Sequence, residues 1–298
     1  MKCRLERADL YAFALLASIS SLCIVVFLLP ADVQELLRCR SDSLNLLSLW
    51  TSAFVHFNFE HLLYDVVSFL VLGLLVFAVH WKPGRGKDFL YSLIVILLVL
   101  PPVTNALFAL IAGLVFKRVF ASCGLSIIVA GLAGLMVPSL RALAKGLLKS
   151  EERANKLVLS LMLLTLFWVV LQYVHQVYGL HALASWAAIL VLGALLVCGL
   201  ALLIPVVKEL RHRTERDHCM KEAATTSIVA VIGYLVFVIM LFPSEIITPG
   251  GGLVGVFHHY LGLFLGMLFG AFVPKLRPLR GRSDVVRPGD HKERGGTN

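Results

Sequence analysis

The stretch SCGLSIIVAGLAGLMVPSL, Ser122 to Leu140, is an apolar run without a charged residue, and it indicates the class of fold. About 20 mostly apolar residues are needed to cross the hydrocarbon layer of a bilayer. Comparable runs recur along the chain, which is 59% hydrophobic and only 15% charged. The chain is therefore predicted to be an all-α, polytopic transmembrane helix bundle of about eight spans. Besides the quoted run, the predicted spans are Leu10 to Pro30, His61 to His80, Phe89 to Phe116, Leu157 to Leu180, Ala182 to Val207, Thr225 to Phe242 and Gly251 to Pro274.

The basic residues lie mostly in every second gap between the apolar runs. The chain has 27 lysines and arginines and a net charge of +9. Most of them precede the first run, follow the last, or separate runs two and three, four and five, and six and seven. By the positive-inside rule, these segments are cytoplasmic, so we expect a multi-pass protein of the cell membrane with both termini in the cytoplasm. Basic residues spread in this way indicate topology and contact with the lipid bilayer, and no nucleic-acid partner is expected.

The apolar runs also divide the chain into segments. We expect residues 1–9 to be a cytoplasmic N-terminus, residues 10–274 a transmembrane domain and residues 275–298 a disordered, basic cytoplasmic tail. Residues 31–60 form the longest external gap, and their amphipathic spacing with Trp50 predicts a helix in the outer interface.

Two adjacent prolines interrupt the third run. Pro101 and Pro102 lack amide hydrogens and disfavour a helix before them, so the helix is predicted to kink or end there. An end at this point would leave Val103 to Ala121 as an irregular external stretch.

Polar residues inside apolar runs are costly in a membrane and mark candidate functional sites. One group lies in HFNFEHLLYD, which contains His56 and, one helical turn apart, His61 and Asp65. A second group, Gly124 and Ser126, opens the fourth run. Both groups fall at predicted external ends of spans, so their side chains are expected to meet near one face of the membrane.

A third group opens the eighth run, where His258 and His259 precede glycines at four-residue spacing. Small residues at this spacing let two helix backbones approach closely. We expect these glycines to pack against small residues of the fourth run, which would bring His259 to Ser126. The small residues of the two runs are Gly262, Gly266, Gly270, Ala130 and Gly134.

These motifs resemble those of the rhomboid family of intramembrane serine proteases. The family patterns are His-x-x-x-Asn, Gly-x-Ser-Gly and His-x-x-Gly-x-x-x-Gly, in that order along the chain. Here they read HLLYD (61–65), GLSI (124–127) and HYLGLFLG (259–266). The resemblance implies a rhomboid-like core and, as substrates, membrane proteins with a transmembrane helix. It implies no cofactor and no metal.

The resemblance also implies roles for individual residues. Ser126 takes the place of the nucleophile and His259 that of the general base, since an imidazole that accepts the proton activates a serine hydroxyl. His61, with Asp65 and Gly124, takes the place of the groups that stabilise the oxyanion. The predicted activity is that of a rhomboid-type serine endopeptidase.

Three positions depart from the family pattern. Ile127 replaces the glycine after the nucleophile, and Ala130 replaces an aromatic residue often found one turn further on. Asp65 replaces an asparagine; an ionised carboxylate would repel an oxyanion, whereas a protonated one could donate to it. Asp65 could alternatively pair with His61. These departures support a second hypothesis, a catalytically inactive, rhomboid-like binder of membrane proteins.

Two further alternatives remain open. In a six-helix core the base comes two helices after the nucleophile, and here that helix begins with His181, followed by Ala184 and Ala188. If His259 is the base instead, two helices have been inserted between it and the serine. A third functional hypothesis is an ion-coupled transporter, with Asp65 and the membrane histidines as its polar track.

Overall fold

A computed structural model of the chain describes residues 6–42, 45–111, 121–177, 182–214, 218–242 and 256–276. Within these ranges the chain forms ten α-helices and one two-stranded sheet. The helices are α1 (Arg7–Phe27), α2 (Ala31–Leu37), α3 (Leu46–Thr51), α4 (Phe59–Trp81), α5 (Gly86–Ile111), α6 (Ser126–Leu148), α7 (Glu151–Val177), α8 (Ala182–Thr214), α9 (His218–Leu241) and α10 (Val256–Leu276). The strands are β1 (Cys39–Arg40) and β2 (Ala121–Ser122), and a 3-10 turn covers Ser52–Phe54.

The protein is an all-α, polytopic membrane bundle, as predicted. Seven helices are long and apolar enough to cross a bilayer, namely α1 and α4 to α9. The eighth predicted span corresponds to α10, whose shorter apolar stretch is Phe257–Phe272. The predicted tail lies outside the described residues beyond Leu276.

Helix α6 forms the centre of the bundle. Of its most apolar stretch, 83% is buried, against 11% for α8 at the periphery. Helices α4, α5, α7, α9 and α10 all pack against α6. Helices α7 and α8 pack against each other, and α7 is joined to α9 by a buried hydrogen bond of 2.8 Å between Thr165 Oγ1 and Tyr234 Oη. The α7–α8 pair therefore lies beside α6 and α9 without separating α6 from α10.

The contact between α6 and α10 is close because glycines line it. A Cβ atom added to Gly266 would lie 2.0 Å from the carbonyl oxygen of Gly131, and one added to Gly134 would lie 2.0 Å from that of Leu263. No side chain fits at such distances, so the two backbones touch directly. The prediction that small residues bring these two helices together is confirmed.

Helix α5 continues through Pro101 and Pro102 to Ile111, so the predicted irregular stretch from Val103 is wrong at least as far as Ile111. Proline at position 101 leaves the carbonyl of Leu97 without its helical donor. The indole Nε1 of Trp50 donates to this carbonyl at 2.7 Å. Residues 112–120 lie outside the described ranges. A side chain from a distant segment thus satisfies the freed carbonyl and allows the helix to continue.

The segment between α1 and α4 folds onto the rest of the protein through polar contacts. The predicted interfacial helix is the short α3, whose residues Leu46 and Leu47 are exposed. Asn105 of α5 donates to the carbonyl of Leu49 at 2.7 Å. Strand β1 pairs antiparallel with β2, Cys39 opposite Ser122. This pairing ties the segment between α1 and α4 to the residues that lead directly into α6.

Candidate active site

The first two turns of α4 supply His61 and Asp65. The Asn58 side chain caps this helix by accepting the backbone N–H of His61 at 2.8 Å, as is usual for asparagine at a helix N-terminus. One turn separates the two residues, and His61 Nε2 lies 3.3 Å from Asp65 Oδ2. The cap and the helical spacing together place the His61 ring and the Asp65 carboxylate side by side.

Ser126 is the first residue of α6, and Gly124 shapes the turn that leads into it. Gly124 has φ = +113°, a conformation that residues with a side chain rarely adopt. A Cβ atom at Gly124 would also lie 2.8 Å from His61 Cε1 and 3.0 Å from Asp65 Oδ2. Only glycine therefore fits here, and its absent side chain lets the start of α6 reach α4.

The predicted role of Gly124 as an oxyanion donor needs correction. Its backbone N–H donates to the carbonyl of Ser52 at 3.0 Å, so this amide is already used within the fold. The amide that does face α4 is that of Ser126, which donates to Asp65 Oδ2 at 3.2 Å. Gly124 contributes its conformation, and Ser126 contributes the donor.

One carboxylate oxygen of Asp65 is the meeting point of the site. In addition to the Ser126 amide and His61 Nε2, it lies 3.2 Å from His56 Nε2. The Asp65 side chain is only 10% exposed. Three nitrogen atoms thus surround one largely buried carboxylate oxygen, and a buried polar atom needs such partners.

Sequence reasoning noted His56 but gave it no role. Its side chain is fully buried, and its Nδ1 has no hydrogen-bond partner among the described residues. The His56 ring packs edge-on against His61, with centroids 5.2 Å apart. Because His56 precedes α4, no helical spacing links it to Asp65, and only the folded turn between them makes the contact.

His259 lies buried near the start of α10, and its ring is held by the end of α9. Its Nδ1 lies 2.5 Å from the carbonyl oxygen of Leu241, the last residue of α9. The last carbonyls of a helix lack intrahelical donors and so remain free to accept. If Nδ1 carries the hydrogen that this bond requires, Nε2 is left unprotonated and can accept a proton.

The face of α10 that carries His259 is the face turned toward α6. A Cβ atom at Gly262, three residues further on, would lie 2.9 Å from both the carbonyl oxygen of Ile127 and the Cβ of Ala130. His258 lies elsewhere, against Phe108 of α5 with ring centroids 4.3 Å apart. Ser126 and His259 therefore lie at one end of one helix contact. Within the described ranges no hydrogen bond joins Ser126 Oγ to the His259 ring.

The two other departures from the family pattern have a packing context. Ile127 is buried in the hydrophobic core, with 3% of its surface exposed. Ala130 is fully buried and faces Gly262, where an added Cβ would lie 2.9 Å from the Cβ of Ala130. An aromatic ring still packs on His259, but it comes from Phe242 after α9, edge-on at 6.3 Å. Sequence reasoning did not single out Phe242, because its role depends on where α9 ends.

The alternative base, His181, lies outside the described residues. Among the described side chains, no group of three or more histidine, cysteine, aspartate or glutamate residues is placed to hold a metal ion. The chain matches no family model, no curated protein and no solved structure. What the site does must therefore be inferred from the residues that it brings together.

Proposed function

We propose that this protein is an intramembrane serine protease with a rhomboid-like fold, and that Ser126 and His259 form its catalytic dyad. The observation that supports this most directly is the contact of Gly262 with Ile127 and Ala130. It places the face of α10 that carries His259 against the first turn of α6, which begins with Ser126. A nucleophile and a base need this proximity, and backbone contact between two helices provides it without a linking side chain.

The proposed reaction begins when Ser126 Oγ attacks the substrate carbonyl carbon and its proton passes to His259 Nε2. The Leu241 carbonyl keeps the His259 ring oriented and stabilises the imidazolium. The oxyanion that forms is met by the Ser126 amide and by His61 Nε2. His259 then gives its proton to the leaving amine, and a water molecule hydrolyses the acyl-enzyme by the same steps.

The proposed substrates are membrane proteins with a transmembrane helix, which would reach the site from the bilayer. The distribution of lysines and arginines supports an orientation in the cell membrane with both termini cytoplasmic. In that orientation the ends of α4, α6 and α10 that carry the site face the external side.

The test is labelling of the purified full-length protein with a fluorophosphonate, which reacts covalently with activated serines. We expect labelling of the wild type and its loss in Ser126→Ala. A matched control is Ser139→Ala, because Ser139 is a buried serine of the same helix and its Oγ also lies near a histidine, 3.3 Å from His80 Nε2. The Ser139→Ala variant should be labelled as the wild type is. An unlabelled wild type, or equal labelling of Ser126→Ala, would refute the proposed protease.

A second experiment identifies the base by comparing three histidine variants. We expect His259→Ala to abolish labelling, and His181→Ala and His258→Ala to retain it. Retained labelling in His259→Ala with loss in His181→Ala would assign the base to the other helix.

The non-catalytic alternative is a rhomboid-like binder of membrane proteins, and the Asp65 carboxylate favours it. Asp65 Oδ2 already accepts the Ser126 amide and lies 3.3 Å from His61 Nε2, and these are the two groups that an oxyanion would need. Two measurements in membranes distinguish the two functions: a photo-crosslinking residue at position 126 captures bound membrane proteins, and cleavage of the captured proteins is compared between cells that express the wild type and cells that express Ser126→Ala. Captured membrane proteins with no Ser126-dependent cleavage product would support the binder.

A further inference from the structure

The donors around Asp65 are the same groups that would stabilise an oxyanion. The Ser126 amide donates to Asp65 Oδ2 at 3.2 Å, and His61 Nε2 lies 3.3 Å from the same oxygen, at ion-pair distance. An oxyanion formed by attack of Ser126 would also have to lie within reach of these two donors, since their positions are set by the first turns of α6 and α4. The carboxylate oxygen and the oxyanion therefore compete for one position.

We propose that Asp65 occupies the oxyanion pocket of the resting protein as an internal anion, and that His56 is the positioning residue that holds it there. This inference rests on the proposed protease function and concerns regulation of the same site. The Asp65 carboxylate inhibits the protein's own active site, and removing the charge of that carboxylate increases the reactivity of Ser126.

Charge is the first reason for this inhibition. Two unit negative charges a few ångströms apart repel strongly at a buried site, where water screens them poorly. An ionised Asp65 would therefore disfavour the oxyanion in addition to occupying its donors. An asparagine in the same place has nearly the same shape, carries no charge and offers an N–H donor.

His56 provides the second reason, because it limits how far Asp65 can move. It is fully buried, and its Nε2 lies 3.2 Å from Asp65 Oδ2. His56 does not bond the Ser126 amide, so its effect on the reacting groups passes through Asp65. Asn58 caps α4 two residues after His56 by accepting the backbone N–H of His61, which defines the start of the helix that carries Asp65.

The experiment compares second-order rate constants for fluorophosphonate labelling of Ser126 in the full-length protein. A single oxyanion-hole donor is worth about 10²–10³-fold in rate, so we expect Asp65→Asn to label on the order of tenfold faster than the wild type, or more. Asp65→Asn with Ser126→Ala should not label, which assigns the signal to Ser126. Asp88→Asn is the matched control: Asp88 is another buried carboxylate, 2.8 Å from Arg85 Nε, and its substitution should leave the rate unchanged.

The role of His56 is tested by its dependence on Asp65. His56→Leu removes the donor and should increase the labelling rate, whereas His56→Gln retains an N–H and should stay near the wild-type rate. On the Asp65→Asn background, His56→Leu should give no further increase. A purely structural role would instead lower the rate in both backgrounds, and that result would refute the assignment of His56.

The outcomes separate this inference from the protease function. A labelled wild type with equal or slower labelling of Asp65→Asn would refute self-inhibition and leave the proposed protease intact. No labelling of either protein would refute both. An unlabelled wild type with a labelled Asp65→Asn would support the internal anion and identify the native chain as the non-catalytic binder.

Discussion

Replacing Gly266 with alanine adds one methyl group where α6 and α10 touch. The new Cβ would lie 2.0 Å from the carbonyl oxygen of Gly131 and 2.9 Å from its Cα. Both are backbone atoms, so no side chain can rotate away. Because ordinary contact begins at 3.4 Å, α10 has to retreat from α6 by about 1.4 Å.

This retreat sets the expected magnitude. His259 lies on the same face of α10, two turns before Gly266, and it would move away from Ser126 together with the helix. A misplacement of about 1 Å costs on the order of 10²-fold in rate, so we expect fluorophosphonate labelling of Ser126 to fall by about that factor. Alanine favours a helix over glycine by about 1 kcal/mol, which opposes the cost of about 1–3 kcal/mol for overpacking.

The assay measures the labelling rate and the thermal unfolding midpoint of Gly266→Ala in parallel. Gly146→Ala is the matched control, because Gly146 lies in α6 with nothing within 4 Å of its added Cβ. This control should label at the wild-type rate and be unfolded at the same or a slightly higher temperature. Wild-type labelling by Gly266→Ala would show that close approach of α6 and α10 is not what positions the base.

Two further predictions concern stability and thiol reactivity. Trp50→Phe leaves the Leu97 carbonyl without its donor and should lower the free energy of unfolding by about 1–3 kcal/mol, measured by denaturant unfolding in detergent. Adding Pro101→Ala restores a backbone N–H for that carbonyl and should recover part of the lost free energy. If the double variant recovers nothing, this explanation is contradicted. Burial raises the pKa of Cys39 to about 11 and that of Cys123 to about 12. Their thiolates form only as the pH rises toward those values. At pH 8 both cysteines should therefore react with iodoacetamide more slowly in the native protein than in the unfolded chain, as measured by mass spectrometry. Equal reaction rates in the two states would refute this prediction.

Much of the fold was predictable because the signals that carry it are local. The length of an apolar run determines whether a helix can cross a bilayer, and each predicted span has a corresponding helix. The four-residue spacing of Gly262, Gly266 and Gly270 indicated a close helix contact, and α10 packs on α6 through these glycines. Short-range pairs were equally accessible, since His61 and Asp65 are one helical turn apart.

The errors came from contacts between distant segments. A kink or an end of α5 at Pro101 was predicted from the missing amide hydrogen, which is a local property. Trp50 satisfies the freed carbonyl from 47 residues away in sequence, so the helix continues. Gly124 was similarly predicted to donate to an oxyanion, but Ser52 accepts its amide.

The sequence by itself determined that this chain is a multi-pass membrane protein and which polar residues lie within or beside its apolar runs. Run length and residue spacing suffice for both, because they depend on neighbours along one helix. Only the tertiary structure decided how those residues meet: the Leu241 carbonyl on His259, and His56, His61 and the Ser126 amide around one oxygen of Asp65. These contacts join separate helices and loops, and their geometry depends on where each helix ends and how closely the backbones pack.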